Sequence, residues 1–210
     1  MPIRVEIYTA GGVATGVVAR TGPLREALDG AGDLLIERSR WLPLDGSGER
    51  PGGDIRLAAD DLLLVASDEA EGGPVHAQWH TIEVDAGPYR VIGEMPTMPG
   101  FDPGRALARP TGEFVFLRDA RIRLIDRDDA GEAGADRLLV NRYTVDRVAA
   151  DMMLGFFFPG AVMVSTKPEE PVVVTSVPAD PTPTSPSTSP PAPPAPLAPP
   201  APTLDTTPAT

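Results

Sequence analysis

Few residues in this chain are of a type and spacing that could do chemistry. His76 and His80 stand four apart, a spacing that puts two imidazoles on one side of a helix and could hold a metal ion. They are the only histidines, no cysteine joins them, and Pro74 precedes them, so no metal site is assigned. Asp60-Asp61 and Asp128-Asp129 are paired carboxylates. General acid–base work needs one carboxyl of a pair partly desolvated, to separate the two pKa values. Both pairs fall in predicted turns or loops, where water reaches each carboxyl, so no catalytic residue is assigned. No Ser–His–acid order, P-loop or dinucleotide fingerprint appears. The chain is read as non-enzymatic and without a cofactor. What remains is binding. Met152, Met153, Leu154, Phe156, Phe157 and Phe158 form the most hydrophobic stretch and are read as an internal seam or a partner surface.

The elements around these residues are short strands. Val5, Ile7 and Val13 alternate with polar positions, broken at Gly11-Gly12, and Val17-Val18 follow Gly16: a hairpin. Leu24 and Leu28 make one helical turn stopped by Gly30. Leu34-Leu35-Ile36 opens a long third strand running to Leu44. Ile55 to Leu57 and Leu62 to Val65 close the unit as strand, polar step, strand. From Thr81 the pattern returns. Val5-Glu6-Ile7 is answered by Ile82-Glu83-Val84, and Gly16 by Gly93, at an offset of 77. The third strand is answered by Phe114-Val115-Phe116 at an offset of 80, and the closing strands by Leu138 to Val148 at 83. Offsets that grow only at loops indicate an internal duplication.

This layout resembles the Sm-like branch of the SH3-like barrels, most closely at Leu138 to Val148, and a group of bacterial proteins with one or two such units. The resemblance implies a mainly β protein of two tandem five-stranded barrels. The expected divisions are 1–67 first barrel, 68–80 linker, 81–151 second barrel, 152–167 apolar packing segment, and 168–210 disordered tail. Sm-like proteins often carry an Arg-Gly step at an RNA site in the closing strand–turn–strand. Here that turn reads Asn141-Arg142-Tyr143, and Ala58-Ala59-Asp60 in the first copy, with no glycine in either. Asn141 and Arg142 are therefore the alternative nucleic-acid contact. Arg105 and Arg109 are similar to the Arg-x-x-x-Arg of the PilZ family, which binds cyclic dinucleotides. The serine that completes that motif is missing between Ser67 and Ser165.

Charge and composition bound the rest. The last 43 residues hold fifteen of the 26 prolines and cannot bury enough apolar surface to offset their ordering entropy. Net charge is −12 overall, and −8 (18 basic, 26 acidic) up to Lys167. An acidic surface repels phosphate backbones, which disfavours nucleic acid. No run is long enough to span a membrane, and Gly155, Pro159 and Gly160 break any helix at the Met152 segment, which disfavours membrane contact. The expectation is a cytoplasmic binding or scaffold protein acting through protein–protein contacts or self-association.

Overall fold

Alternation of apolar and polar side chains drives nearly all of the folded chain into strands. The computed structural model describes residues 2–20, 22–30, 32–69, 76–100, 112–127 and 130–167. Its first run of elements is β1 (Pro2–Thr9), β2 (Gly12–Ala19), α1 (Leu24–Gly30), β3 (Asp33–Pro43), β4 (Arg50–Ala58), a 3-10 turn (Ala59–Asp61) and β5 (Leu64–Ser67). The second is β6 (Gln78–Ala86), β7 (Tyr89–Thr97), β8 (Phe114–Leu124), β9 (Ala133–Asn141) and β10 (Val145–Ala150), followed by β11 (Val162–Ser165).

The protein is mainly β, but its strands do not form two closed barrels joined by a linker. They make one open sheet of eleven strands, in the order β11-β10-β6-β7-β8-β9-β5-β1-β2-β3-β4. The two runs are continuous because β9 lies antiparallel on β5, with Leu64, Val65 and Ala66 opposite Val140, Leu139 and Leu138. An edge strand carries a row of unpaired backbone groups, and β9 satisfies those of β5. Of the expected linker 68–80, Gln78 to His80 belong to β6, and residues 70–75 lie outside the described residues.

Within the sheet the runs follow the same order, β5-β1-β2-β3-β4 and β10-β6-β7-β8-β9. Their registers correspond too. Ile7 faces Val65 as Val84 faces Val148, and Ala14 faces Trp41 as Val91 faces Ile122. Ile36 faces Ile55 as Leu117 faces Leu138. The third strand therefore answers its counterpart at an offset of 81 (Ile36 to Leu117), one more than the pattern of apolar triplets indicated. Three apolar residues in a row do not fix the phase of a strand; the pairing does, and it buries Leu34 and Ile36 on the one hand, Val115 and Leu117 on the other.

A bulge bends each third strand at the same place. Arg38 and Asp119 both have φ of 50°, rare for residues with a side chain. Opposite them the ladder slips around Gly16 and Gly93. A Cβ on Gly16 would lie 2.4 Å from Ile36 Cγ2 and 2.9 Å from the Glu37 carbonyl oxygen, so only glycine lets β3 cross so closely. On Gly93 the nearest atoms would be 3.3 Å away.

Two apolar cores fill the bends, and each run contributes to both. One core is built on Val84, Val91, Leu117, Leu138 and Val148 and takes in Tyr8, Val13, Leu63 and Leu64 from the first run. The other is built on Val5, Ile7, Leu24, Leu28, Ile36 and Val65 and takes in Phe114 and Leu139 from the second. Helix α1 is held at its start by Glu69, which pairs with Arg20 and accepts from the Leu24 amide at 3.2 Å. Near its end, Asp29 accepts the Glu113 amide at 2.7 Å, a further tie between the runs.

Candidate functional site

The apolar stretch packs largely on the core of the second run. Leu154 and Phe158 are fully buried there, and Met152 and Phe157 lie against the same core. Phe156 is half-buried and meets Phe157 edge to face at 6.1 Å. Met153 points outward, 68% exposed. Gly155 and Pro159 prevent a regular helix, and the chain instead makes a turn in which the Leu154 carbonyl accepts the Phe157 and Phe158 amides. Phe114 and Leu139 of the second run, and Tyr8, Val13, Leu63 and Leu64 of the first, lie in the other run's core, and Phe157 lines a small hollow together with Arg25 of α1.

Asn141 and Arg142 serve the same part of the fold. The Asn141 side chain accepts the Tyr143 amide at 3.1 Å and shapes the turn into β10. Arg142 is only 3% exposed, and its Nη2 donates to the Phe156 carbonyl at 2.8 Å, tying the turn to the apolar segment. A guanidinium so placed has no surface to offer a phosphate.

The remaining candidates are dispersed. His80 lies on β6, bonded through Nε2 to Thr97 Oγ1 at 3.0 Å, and no group of three metal-ligating side chains exists among the described residues. Asp60 and Asp61 are exposed in the 3-10 turn. Trp79 packs on the second run, edge to face with Phe116 and under the Arg118 guanidinium at 3.6 Å. Asp128, Asp129, Arg105, Arg109 and the tail from Pro168 lie outside the described residues. Among the described residues, no helix is long and apolar enough to cross a membrane.

A site that none of these residues announced lies where the runs meet. A cleft of about 350 Å³ opens between the end of β3 and the end of β8. Its walls are Val13, Leu42, Pro43 and Leu44 on one side, and Ile122, Leu124 and Ala133 on the other. Tyr8 and Tyr89 form the floor, their rings edge to face with centroids 5.2 Å apart. Their hydroxyls are turned into the protein. Tyr8 donates to Glu6 Oε1 at 2.9 Å, and Tyr89 to the Thr9 carbonyl at 3.0 Å. Burial raises the pKa of both phenols, and Glu6 raises that of Tyr8 further. Both hydroxyls are neutral and occupied as donors, and the Glu6 carboxylate that accepts from Tyr8 is itself part of the cleft lining. Arg127 crosses the mouth and donates to the Leu44 carbonyl at 3.2 Å, linking the loops that follow β3 and β8. Leu42, 48% exposed, stands at the entrance.

The volume and apolar lining fall in the range of sites that take a small molecule or one anchoring side chain. The sequence held one trace of this site. Tyr8 and Tyr89 are two of only three tyrosines and flank the two hairpin turns. Their meeting depends on the β5–β9 pairing, which local pattern does not reveal. In comparisons with known proteins, no family model, no curated protein and no solved structure matches the chain.

Proposed function

We propose that the chain is a non-enzymatic binding protein made of a duplicated Sm-like unit, and that it grips a segment of a partner protein in the cleft between the two units. The observation that carries this reading is the cleft itself: apolar walls from both runs over a neutral Tyr8–Tyr89 floor, with Leu42 exposed at its mouth. Duplication is supported by the repeated strand order and ladder register. A single unit would supply one wall, so binding is a property of the pair. An aromatic or branched aliphatic side chain fits as the anchor. Net charge of −12 steers a basic segment toward the protein in preference to an acidic one. The Pro-rich tail from Pro168 acts as an extended spacer, and a cytoplasmic location goes with this reading.

The test is selection of short random peptides against the full chain, with the full-length Leu42→Asp variant as the counter-screen. Enriched peptides should share one large apolar residue beside Lys or Arg. They should bind the wild type more weakly as salt rises, and lose the Leu42→Asp protein. Peptides that bind both proteins equally would sink the cleft as the site.

A further inference from the structure

The junction between the two runs is a surface that this fold could in principle use again. At the junction, the edge of β5 receives β9. The corresponding edge at the far end of the sheet belongs to β10, and the strand corresponding to β9 is β4. A second copy could therefore add head to tail, β4 on β10, as β9 adds to β5.

Ladder register identifies the residues that would make that contact. Tyr8 faces both Val13 and Leu64. In the second run the residues in these places are Asp85, facing Arg90 and Arg147. The neighbour of Leu64 in the junction, Leu63, is likewise replaced by Asp146, since Arg147 answers Leu64. On the other side of the junction, Phe114 faces Asn141 and Leu139 faces Phe116. At the free end the matching residues are Asp33, facing Ala58, and Arg56, facing Leu35. Tyr8, Val13, Leu63, Leu64, Phe114 and Leu139, the large apolar residues that one run buries in the other's core, thus each have a charged counterpart at the outer end of the sheet, while the partly buried Leu44 and Phe116 are answered by Ile125 and Leu35.

The charges at the β10 end are neutralised locally. Arg90 holds Asp85 through two bonds of 2.6 and 2.8 Å, and Arg147 reaches Glu83 at 2.7 Å. The edge of β10 is also occupied. Strand β11 runs parallel to it, with Val162, Met163 and Val164 against Arg147, Val148 and Ala149. These positions answer Leu64, Val65 and Ala66, the residues of β5 that β9 covers. At the β4 end, Pro51 and the left-handed Gly53 (φ 65°) interrupt the edge.

We infer that the chain is a self-terminated pair: charge at both ends of the sheet, together with β11, prevents a second copy from docking on the edges that join its own two units. The inference rests on the equivalence of the two runs proposed above and not on the occupant of the cleft. Loss of peptide binding and loss of end-blocking are therefore separate results.

Two full-length variants test it. One carries Asp33→Phe and Arg56→Leu, restoring the β4 end. The other carries Asp85→Tyr, Arg90→Val, Asp146→Leu and Arg147→Leu, with Met163→Pro to unseat β11, restoring the β10 end. The wild type should sediment as a monomer at every concentration. Each variant offers one competent end, so the mixture should form a one-to-one complex of twice the monomer mass. Wild-type self-association that Pro substitutions in β4 abolish would overturn the inference. So would a mixture of two folded variants that stays monomeric. If the β10-end variant fails to fold, the reverse exchange replaces it: Phe114→Asp with Leu139→Arg puts the outer-end residues into the junction. It should unfold in two transitions where the wild type unfolds in one, and the same number of transitions in both proteins would overturn the inference equally.

Discussion

The bulge glycines give the sharpest test of the packing, because they are equivalent in the ladder and unequal in space. Replace each in turn with alanine. Neither glycine has a positive φ, so the backbone is not strained by a side chain at either site. Alanine also stiffens the unfolded chain, which favours folding by about 0.4–1 kcal/mol. At Gly16 the new methyl would sit 2.4 Å from Ile36 Cγ2 and 2.9 Å from a backbone oxygen. Ile36 is fully buried and branched at Cβ, so its methyl has nowhere to rotate. Overpacking of that kind costs about 1–3 kcal/mol. Gly16→Ala should therefore destabilise by a net ~1–2 kcal/mol. At Gly93 the nearest contacts, Ala120 Cβ and the Arg118 carbonyl oxygen, are both 3.3 Å away. A shift of a few tenths of an ångström relieves them, so Gly93→Ala should be close to neutral. Urea unfolding measures the difference: the Gly16→Ala midpoint should fall by about 0.5–1 M with an unchanged slope. A Gly93→Ala protein as destabilised as Gly16→Ala, or a neutral Gly16→Ala, would refute the reasoning.

Other outcomes follow from the same contacts. Phe158→Ala removes a fully buried ring and should cost about 3–5 kcal/mol, lowering the thermal midpoint by roughly 6–20 °C, whereas Met153→Ala on the exposed side of the same segment should stay within about 0.5 kcal/mol of wild type. Leu42→Asp, at a half-exposed position, should leave the urea midpoint near wild type while abolishing peptide capture. Arg90 above all, and then Arg147, hold the Asp85 carboxyl below the usual carboxylate range, against the opposing effect of burial. A lowered folded pKa means that this stabilisation is present above the unfolded value of about 3.9 and is lost as pH falls through the folded one. The stability gap between wild type and Asp85→Asn should accordingly be constant near neutral pH and close on acidification below about pH 4; a gap that widens in acid would contradict the ion pair.

What the sequence determined by itself was local. Val5, Ile7 and Val13 alternate, Gly11-Gly12 turn the chain, and Leu24 and Leu28 recur at helical spacing. Those signals suffice for β1, β2 and α1 because strand and helix periods are written in nearest neighbours. Gly16 and Gly93 were matched from spacing alone, and both sit opposite a bulge. Tertiary structure decided the rest. Arg142 reads in sequence as the alternative nucleic-acid contact, yet it is buried, with its Nη2 on the Phe156 carbonyl. The two runs were expected as separate barrels; β9 instead lies on β5, because backbone edges carry no side-chain code that a reading of one strand can detect. The cleft over Tyr8 and Tyr89 exists only through that pairing. The charges at Asp33, Arg56, Asp85 and Arg147 read as ordinary surface residues until register sets each beside its apolar counterpart at the junction. Register is a property of two strands together, and no single stretch of chain contains it.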